Sequence, residues 1–309
     1  MNQKPLVGYG SQFALLIGIF GVSLILSSLL MGFVAAQVLN KPLLQAGNEL
    51  LKPENANLAR VLNTVATLIS FFIPAWIVAK ISSVHPFSSL GFASILSFKQ
   101  IGLVVLITIA ALFLSGSLAE LNEKIPMPAS FLKKARELEE LYKNAMLSMA
   151  SMKNMGDYVL SLLVIALAPA VFEEVFFRGA MQNILVGWTK NAWLGIIITS
   201  IIFSAIHGSY FGFLPRVGLG IVLGLIYFNS KNLWLNITMH FLNNAIIVTQ
   251  MYYLTRMGKP IKEAMDESMP IWFGVIAILG LVVFFKLFNI ESGKVISNNQ
   301  LTQNYELVD

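Results

Sequence analysis

Residues 158–187 read YVLSLLVIALAPAVFEEVFFRGAMQNILVG, a hydrophobic run that contains two adjacent carboxylates and one arginine. The run is longer than the ~20 apolar residues with which a helix crosses ~30 Å of hydrocarbon. An ionisable side chain at that depth costs about 2.5–3.5 kcal/mol on insertion scales, so it persists mainly where it faces a polar cavity and has partners. Glu173, Glu174 and Arg178 therefore indicate a functional site inside a membrane protein.

The whole chain has the composition of a polytopic membrane protein. Its 309 residues are 56% hydrophobic and only 12% charged, with a mean hydropathy of +0.73, which is far from the balance of a soluble domain. Apolar segments lie at about 12–39, 58–79, 101–119, 158–187, 192–207, 215–229, 233–253 and 270–290. The fold class that we expect is all-α, with about eight transmembrane helices.

Several functional classes are excluded by residue usage. The chain has no cysteine, which rules out disulfides, thiolate metal ligands and a cysteine nucleophile. Its net charge of +5 comes from scattered basic residues without a dense run, so no nucleic-acid partner is expected. The first apolar segment is too long for a signal-peptide core and is expected to be retained. The basic residues do not select a membrane orientation.

The charged segment between the third and fourth apolar segments predicts an amphipathic helix over about 129–153. Apolar side chains recur there at helical spacing, with lysine, arginine and glutamate between them. They are Phe131, Ala135, Leu138, Tyr142, Ala145 and Met149. We favour a helix that lies in the membrane interface, and a lid over a site is the alternative.

The chain divides into three parts by this pattern. Residues 1–157 hold the first transmembrane helices and the amphipathic helix, 158–253 form the core with the polar residues, and 254–309 hold the last transmembrane helix and a polar tail. The tail after Glu291 is expected to be disordered. Pro74 in the second segment is expected to kink its helix, as is the proline in the fourth.

The apolar segments after residue 158 contain further polar residues beside the acidic pair. They are Arg178, His207, Arg216, His240, Asn243 and Asn244. The chain has only three histidines, and two of them are in this group. The third, His85, precedes Pro86 in a loop, where we expect a solvated side chain.

Helix geometry places several of these residues at one depth. If residues 188–191 form a turn, Glu173 lies about 15 residues before it and His207 about 16 after it, so both are roughly 22–24 Å from that turn along antiparallel helices. His240 lies about 8 residues, or ~12 Å, beyond a later turn at 230–232. It can therefore approach the same level.

Spacing within each helix assigns partners. Glu174 and Arg178 are four residues apart in the favourable orientation for an ion pair, so we expect Arg178 to neutralise Glu174 in a supporting role. Glu173 is then left to face another way. Two further sets share a helix face: His240 with Asn243 and Asn244, and Phe203 with His207, where Phe203 is expected to pack beside the histidine.

A carboxylate, two imidazoles and an amide suit peptide hydrolysis. One glutamate beside one histidine can hold and deprotonate a water, while a second histidine and an asparagine can donate hydrogen bonds to the oxyanion of a tetrahedral intermediate. The same glutamate and two histidines could instead bind Zn²⁺, although no His-Glu-x-x-His motif specifies zinc. Two further hypotheses stay open, namely a polar cluster that only locks the helices together and a transporter with a proton relay.

The polar residues resemble the motifs of the CPBP family, which is also called the Abi or type II CAAX prenyl endopeptidase family of intramembrane proteases. Three motifs appear in the family's order, each on an apolar helix. The matches are Glu173, Glu174, Arg178 and Gly179 for Glu-Glu-x-x-x-Arg-Gly, Phe203 and His207 for Phe-x-x-x-His, and His240 and Asn244 for His-x-x-x-Asn.

The resemblance implies a conical helical bundle with a polar intramembrane cavity, in which Glu173 and His207 activate water and His240 and Asn244 form the oxyanion site. It implies an endopeptidase that cleaves membrane-associated polypeptides, such as prenylated CAAX tails, in contact with membrane lipid. The location implied is an integral, multi-pass protein, in the plasma (inner) membrane if the protein is bacterial. The resemblance does not select a substrate.

Within the family, the type of chemistry stays open. We favour a metal-independent glutamate protease without a cofactor, and the competing hypothesis is a zinc enzyme with Glu173, His207 and His240 as ligands. A non-proteolytic bacteriocin-immunity or membrane scaffold protein is also compatible with the motifs.

Overall fold

The computed structural model describes residues 6–93, 95–261 and 268–306, with side chains described as far as Asn298. Every regular element in these ranges is a helix. In chain order they are α1 (Tyr9–Leu39), α2 (Leu43–Leu50), α3 (Pro53–Ser82), α4 (Pro86–Ser89), α5 (Phe98–Glu123), α6 (Ala129–Met149), α7 (Met155–Thr189), α8 (Ala192–Ile206), α9 (Phe213–Ser230), α10 (Leu233–Arg256) and α11 (Ile271–Glu306).

A helix occupies each of the eight predicted apolar segments, but only six are long and apolar enough to cross a membrane. Among the described residues these are α1, α3, α5, α7, α9 and α11. Helix α8 has 15 residues, which is short for a complete crossing. Helix α10 has 24 residues, but its apolar character is diluted by Asn236, His240, Asn243 and Asn244. The all-helical membrane fold is confirmed, and the count of eight spans stays a prediction.

Wide helical turns accompany both prolines that were expected to kink their helices. In α3 a π-helical stretch covers Leu68–Phe72, just before Pro74. In α7 another covers Leu162–Leu167, just before Pro169. Proline lacks an N–H and its ring presses on the carbonyl four residues earlier, which lies inside the wide turn in both helices. The extra backbone width accommodates the ring without ending the helix.

Close helix packing brings α9 against α7 and α8. Gly220 and Gly224 are four residues apart on α9, and a Cβ on Gly220 would lie 2.8 Å from the Ser200 side chain of α8. A Cβ on Gly224 would lie 2.7 Å from Ile196 on the same helix. Small residues at this spacing let helix backbones approach closely. The bare glycine carbonyls are then available to polar side chains of α7.

The amphipathic helix predicted over 129–153 is present as α6, Ala129–Met149. Its carboxyl end is bound by Arg60 of α3, a fully buried arginine. The guanidinium donates to the carbonyls of Met149 at 2.8 Å and Ser151 at 2.6 Å, and to the Asn57 side chain at 2.6 Å. This contact ties α6 to the bundle. The structure does not test whether α6 lies in the membrane interface.

The prediction of a disordered tail after Glu291 is wrong, because α11 continues to Glu306. The start of this extension is fastened to the amino end of α5. Ser97 donates to Glu291 at 2.9 Å, and the buried Gln100 donates to Ser292 at 3.0 Å. These polar contacts prolong the helix beyond its apolar part. Residues 262–267 and 307–309 of the predicted third part lie outside the described residues, and the division into three parts stays a prediction.

We expect Arg60→Met to lower the free energy of unfolding by about 2–4 kcal/mol, since it leaves two carbonyls inside the bundle without donors. Thermal unfolding in detergent measures this change. Arg256→Met, at an exposed position on α10, is the matched control and should change stability little. Equal stability of the two variants would contradict the role given to Arg60.

Candidate active site

A buried ion pair lies in the middle of α7, where the sequence predicted it. Glu174 and Arg178 are both 0% exposed, and Nη1 of Arg178 donates to Oε1 of Glu174 at 2.8 Å. Nη2 of Arg178 donates to the carbonyl of Gly220 at 3.2 Å, and the guanidinium lies 4.8 Å from the ring centroid of Phe203. The pair thus holds α7 to α8 and α9, and the wide turn Val175–Gln182 is the segment that carries the arginine.

The same carboxylate oxygen also binds a histidine from α10. Nδ1 of His240 lies 2.8 Å from Oε1 of Glu174, and both side chains are buried. A carboxylate at Nδ1 fixes the tautomer of the ring, because Nδ1 must carry the proton that it donates. Nε2 of His240 then lies on the side of Glu173, 3.9 Å from its Oε2. The sequence did not predict the contact between Glu174 and His240.

Because Glu174 is paired with Arg178 and His240, the next residue along the helix, Glu173, points in a different direction, toward a large cavity. Its side chain is 13% exposed and lines the large cavity, which Glu174 does not. Among the described residues its carboxylate accepts no hydrogen bond, and the 3.9 Å approach of His240 is its nearest charged-group contact. Glu173 is therefore the carboxylate that is free to act on a ligand.

His207 stands directly after the last residue of α8. Its Nδ1 lies 2.7 Å from the carbonyl of Phe203, so Nδ1 is the protonated nitrogen and Nε2 is left for a ligand. The Phe203 ring lies 5.0 Å from the His207 ring and 6.0 Å from the His240 ring. Phe203 thus packs against both imidazoles, which agrees with its predicted role. Gly208 follows with φ of 65°, a conformation that favours glycine and lets the chain turn sharply.

The loop that follows His207 is fixed from two sides. Asn122, at the carboxyl end of α5, donates to the Tyr210 carbonyl at 3.0 Å and accepts from the Leu214 amide at 3.1 Å. Ser209 donates to Glu139 of α6 at 2.6 Å. Neither Asn122 nor Glu139 was singled out from the sequence. For Asn122, the sequence did contain a signal, namely an asparagine at the end of an apolar helix.

The two asparagines of α10 continue the face that carries His240. Asn243 donates from Nδ2 to Oδ1 of Asn244 at 3.2 Å. This bond occupies the acceptor of Asn244 and leaves its own amide N–H groups to donate elsewhere. Both side chains line the large cavity with His240. The orientation suits a hydrogen-bond donor to a ligand.

One cavity of about 1510 Å³ brings the predicted residues together. It is larger than the ~300–1,000 Å³ of most small-ligand sites, so it has room for a stretch of polypeptide. The predicted site residues that line it are Glu173, Phe203, His207, His240 and Asn244, and the polar residues Arg216 and Asn243 line it as well. Helix α6 supplies part of the wall, through residues that include Glu139 and Tyr142. This position is the one expected of a lid.

His85 is exposed, as predicted.

The residues proposed as zinc ligands do not form a metal site as they are placed. Among the described residues, no three histidine, cysteine or acidic side chains are grouped so that they could hold a metal ion. One nitrogen of each candidate histidine is hydrogen-bonded, that of His240 to Glu174 and that of His207 to a backbone carbonyl, which leaves the second nitrogen of each ring for a ligand. The zinc hypothesis stays a prediction for direct measurement.

Comparisons with known proteins match the part of the chain that carries these residues. Residues 155–246 match the family model described as Type II CAAX prenyl endopeptidase Rce1-like. The chain is also similar to a protein of Escherichia coli named "Uncharacterized 24.3 kDa protein", with 34% identity over 94 residues. That match spans 28% of this chain and 42% of the relative. No solved structure matches the chain. The family resemblance of the sequence motifs is thus confirmed over this segment.

We expect the two adjacent glutamates to differ in their effect on stability. Glu174→Gln removes the charge that compensates Arg178 and should lower the free energy of unfolding by about 3–5 kcal/mol. Glu173→Gln changes a cavity-facing group that accepts no hydrogen bond from a described residue, and it should leave stability nearly unchanged. Thermal unfolding of both variants in detergent makes the comparison. A loss for Glu173→Gln as large as that for Glu174→Gln would contradict the division.

Proposed function

Because residues 155–246 match the Rce1-like type II CAAX prenyl endopeptidase family, we propose that the protein is an intramembrane endopeptidase that uses a water activated by Glu173 and His207. The observation that carries the proposal is the contrast between the two glutamates. Glu174 is buried and committed to Arg178 and His240, whereas Glu173 lines the cavity and accepts no hydrogen bond from the described part of the chain. One carboxylate supports the site and the other is available for chemistry.

Attack begins with a water between Glu173 and His207. The carboxylate removes one proton, and Nε2 of His207 accepts the hydrogen bond that holds the water in line with the substrate carbonyl. The hydrogen bond from Nδ1 to Phe203 supports this arrangement, because it makes Nε2 an acceptor. The water oxygen forms a bond to the carbonyl carbon, and the C=O electron pair moves to the oxygen.

The resulting oxyanion is stabilised by His240 and Asn244. Nδ1 of His240 donates to Glu174, so a donor at Nε2 requires the doubly protonated ring. Arg178 balances the charge of Glu174. The Asn244 amide provides the second donor, since its oxygen already accepts from Asn243. Donors that are fixed before the reaction stabilise developing charge without reorganisation.

Collapse of the intermediate completes the hydrolysis. The protonated Glu173 passes its proton to the amide nitrogen, the C–N bond breaks, and its electron pair stays with the amine. The products are a carboxylic acid that has gained the water oxygen and an amine that has gained a proton. Glu173 returns to its starting ionisation state and serves first as base and then as acid.

The substrates that we propose are membrane-associated or lipidated polypeptides of the CAAX type. The family description supports this class, and the surface supports contact with lipid. Helices α1 and α11 expose many large apolar side chains, such as Leu26, Leu29, Leu279 and Val282. Such surface is stable in hydrocarbon rather than in water. A lipid anchor could remain in the bilayer while the attached peptide enters the cavity.

We expect Glu173→Gln to lower the rate of peptide cleavage by about 10²–10⁴-fold, the range for loss of a general base. The measurement is cleavage of a fluorogenic, S-farnesylated CAAX peptide by purified protein in detergent. Glu140→Gln is the matched control, because it makes the same change at an exposed residue of the same cavity wall. Equal cleavage by wild type and Glu173→Gln would sink the proposal.

Replacement of Asn244 by alanine should reduce kcat by about 10²–10³-fold with a small change in KM, as expected for one oxyanion donor. Steady-state kinetics on the same peptide separate the two constants. Asn229→Ala on α9 is the control, since that side chain donates to a backbone carbonyl of its own helix. A change in KM alone would remove Asn244 from the oxyanion site.

The zinc hypothesis and the metal-independent mechanism predict different metal contents for the purified protein. We expect protein purified without chelator to contain less than one zinc per chain, and its activity to survive dialysis against a chelator. Elemental analysis and residual activity are the two measurements. Stoichiometric zinc that is lost in the Glu173→Gln or His240→Ala protein would establish the metal mechanism instead.

A further inference from the structure

Arg216 is the one intramembrane polar residue from the sequence pattern whose charge the proposed reaction does not use. It lies in the first turn of α9, where its amide donates to the Gly212 carbonyl at 3.1 Å. Its side chain lines the same cavity as Glu173 and His207. A charged residue at this depth calls for a partner.

The guanidinium of Arg216 is held in place without an ion pair to a described residue, and it is close enough to Glu173 for its charge to act on that carboxylate. It lies 4.9 Å from the ring centroid of Tyr142 on α6, a distance at which a cation is attracted to the ring. It also packs over the backbone of Gly212, where any Cβ would collide with it. Within the residues that the structure describes, the buried Nη1 has no hydrogen-bond partner and the guanidinium forms no ion pair.

The two fully buried arginines of the bundle bind acceptors within the protein, although Nε of Arg178 has no acceptor among the described residues. Arg178 pairs with Glu174, and Arg60 donates three hydrogen bonds to α3, α6 and the loop after α6. Arg216 differs from both because its uncommitted nitrogen lies in a wall of the reaction cavity. A fixed cation beside a catalytic group, with a buried N–H that no described acceptor binds, can bind an anion of the substrate.

We propose that Arg216 is a specificity-determining residue that binds a carboxylate of the substrate peptide. This inference rests on the proposed peptidase function. The planar guanidinium matches a carboxylate in geometry and charge better than any neutral group. Stacking on Tyr142 holds the plane in one orientation, so little freedom is lost on binding. The substrate class is therefore a peptide with an anionic group near the cleaved bond.

Two sources could supply the carboxylate, namely the free carboxyl terminus of the peptide or an acidic side chain near that terminus. A lipid phosphate is a different class of ligand. The peptide is favoured because Arg216 shares its cavity with Glu173, His207 and Asn244. A lipid phosphate bound there would occupy the space that the substrate needs.

The test compares three fluorescent S-farnesylated peptides for binding to full-length Glu173→Gln protein in detergent, measured by fluorescence anisotropy. The first ends in a free carboxylate, the second is identical but ends in a carboxamide, and the third ends in a carboxamide with aspartate as its last residue. We expect the first to bind about 10- to 100-fold more tightly than the second, the range for a hydrogen bond to a charged group. The third peptide tells the two sources apart.

Addition of Arg216→Gln should erase this preference by weakening the first peptide while leaving the second unchanged. Arg216→Lys should keep part of the preference. If Arg216→Gln does not fold, the binding of the first two peptides is compared in Arg216→Lys instead. Arg136→Gln, at an exposed arginine of the same cavity wall, is the matched control and should keep the full preference.

Equal binding of the first two peptides to the parent protein would overturn the proposal, and so would no binding of either. An equal loss for both peptides in Arg216→Gln would also overturn it, because the guanidinium would then serve the fold or a lipid phosphate. A third peptide that binds like the first identifies any nearby carboxylate as the ligand, and one that binds like the second identifies the carboxyl terminus. Binding needs no turnover, so persistent cleavage by Glu173→Gln would reject the mechanism independently.

Discussion

The structure depends on one buried carboxylate oxygen, Oε1 of Glu174, which accepts from both Arg178 and His240 at 2.8 Å. The three groups come from α7 and α10, and Arg178 extends the network to α9 through Gly220. A charge inside an apolar bundle is tolerated only when it is paired and hydrogen-bonded. The helices must therefore assemble in the one arrangement that satisfies this oxygen, and that arrangement places His240 beside Glu173.

The division between neighbouring glutamates follows from helix geometry. Successive residues on an α-helix point about 100° apart, so side chains at 173 and 174 cannot share one environment. Once Glu174 faces Arg178, Glu173 must face elsewhere, and in this bundle that direction is the cavity. Structural support and chemical reactivity are thus separated within two residues. On α10 the two functions are divided within one side chain. Nδ1 of His240 binds Glu174, and Nε2 lies on the side of Glu173.

Wide helical turns and close helix contacts at glycine shape the walls of the cavity. Wide turns accommodate Pro169 on α7, and glycines on α9 allow the close approach that makes the Gly220 carbonyl available. Helix α6 closes part of the wall and contacts the loop after His207 through Glu139 and Ser209. A change at α6 is therefore coupled to the position of the histidine. The arginine at 216 belongs to this same wall.

By itself, the sequence determined the helical membrane class, the ion pair between Glu174 and Arg178, and the freedom of Glu173, because these follow from hydropathy and from spacing within one helix. It did not determine the contact from His240 to Glu174, the anchoring of α6 by Arg60, or the helical continuation to Glu306. Those depend on residues 66, 89 and 194 positions apart. Only the tertiary structure decided them, since local periodicity carries no information about which distant helix meets a given face.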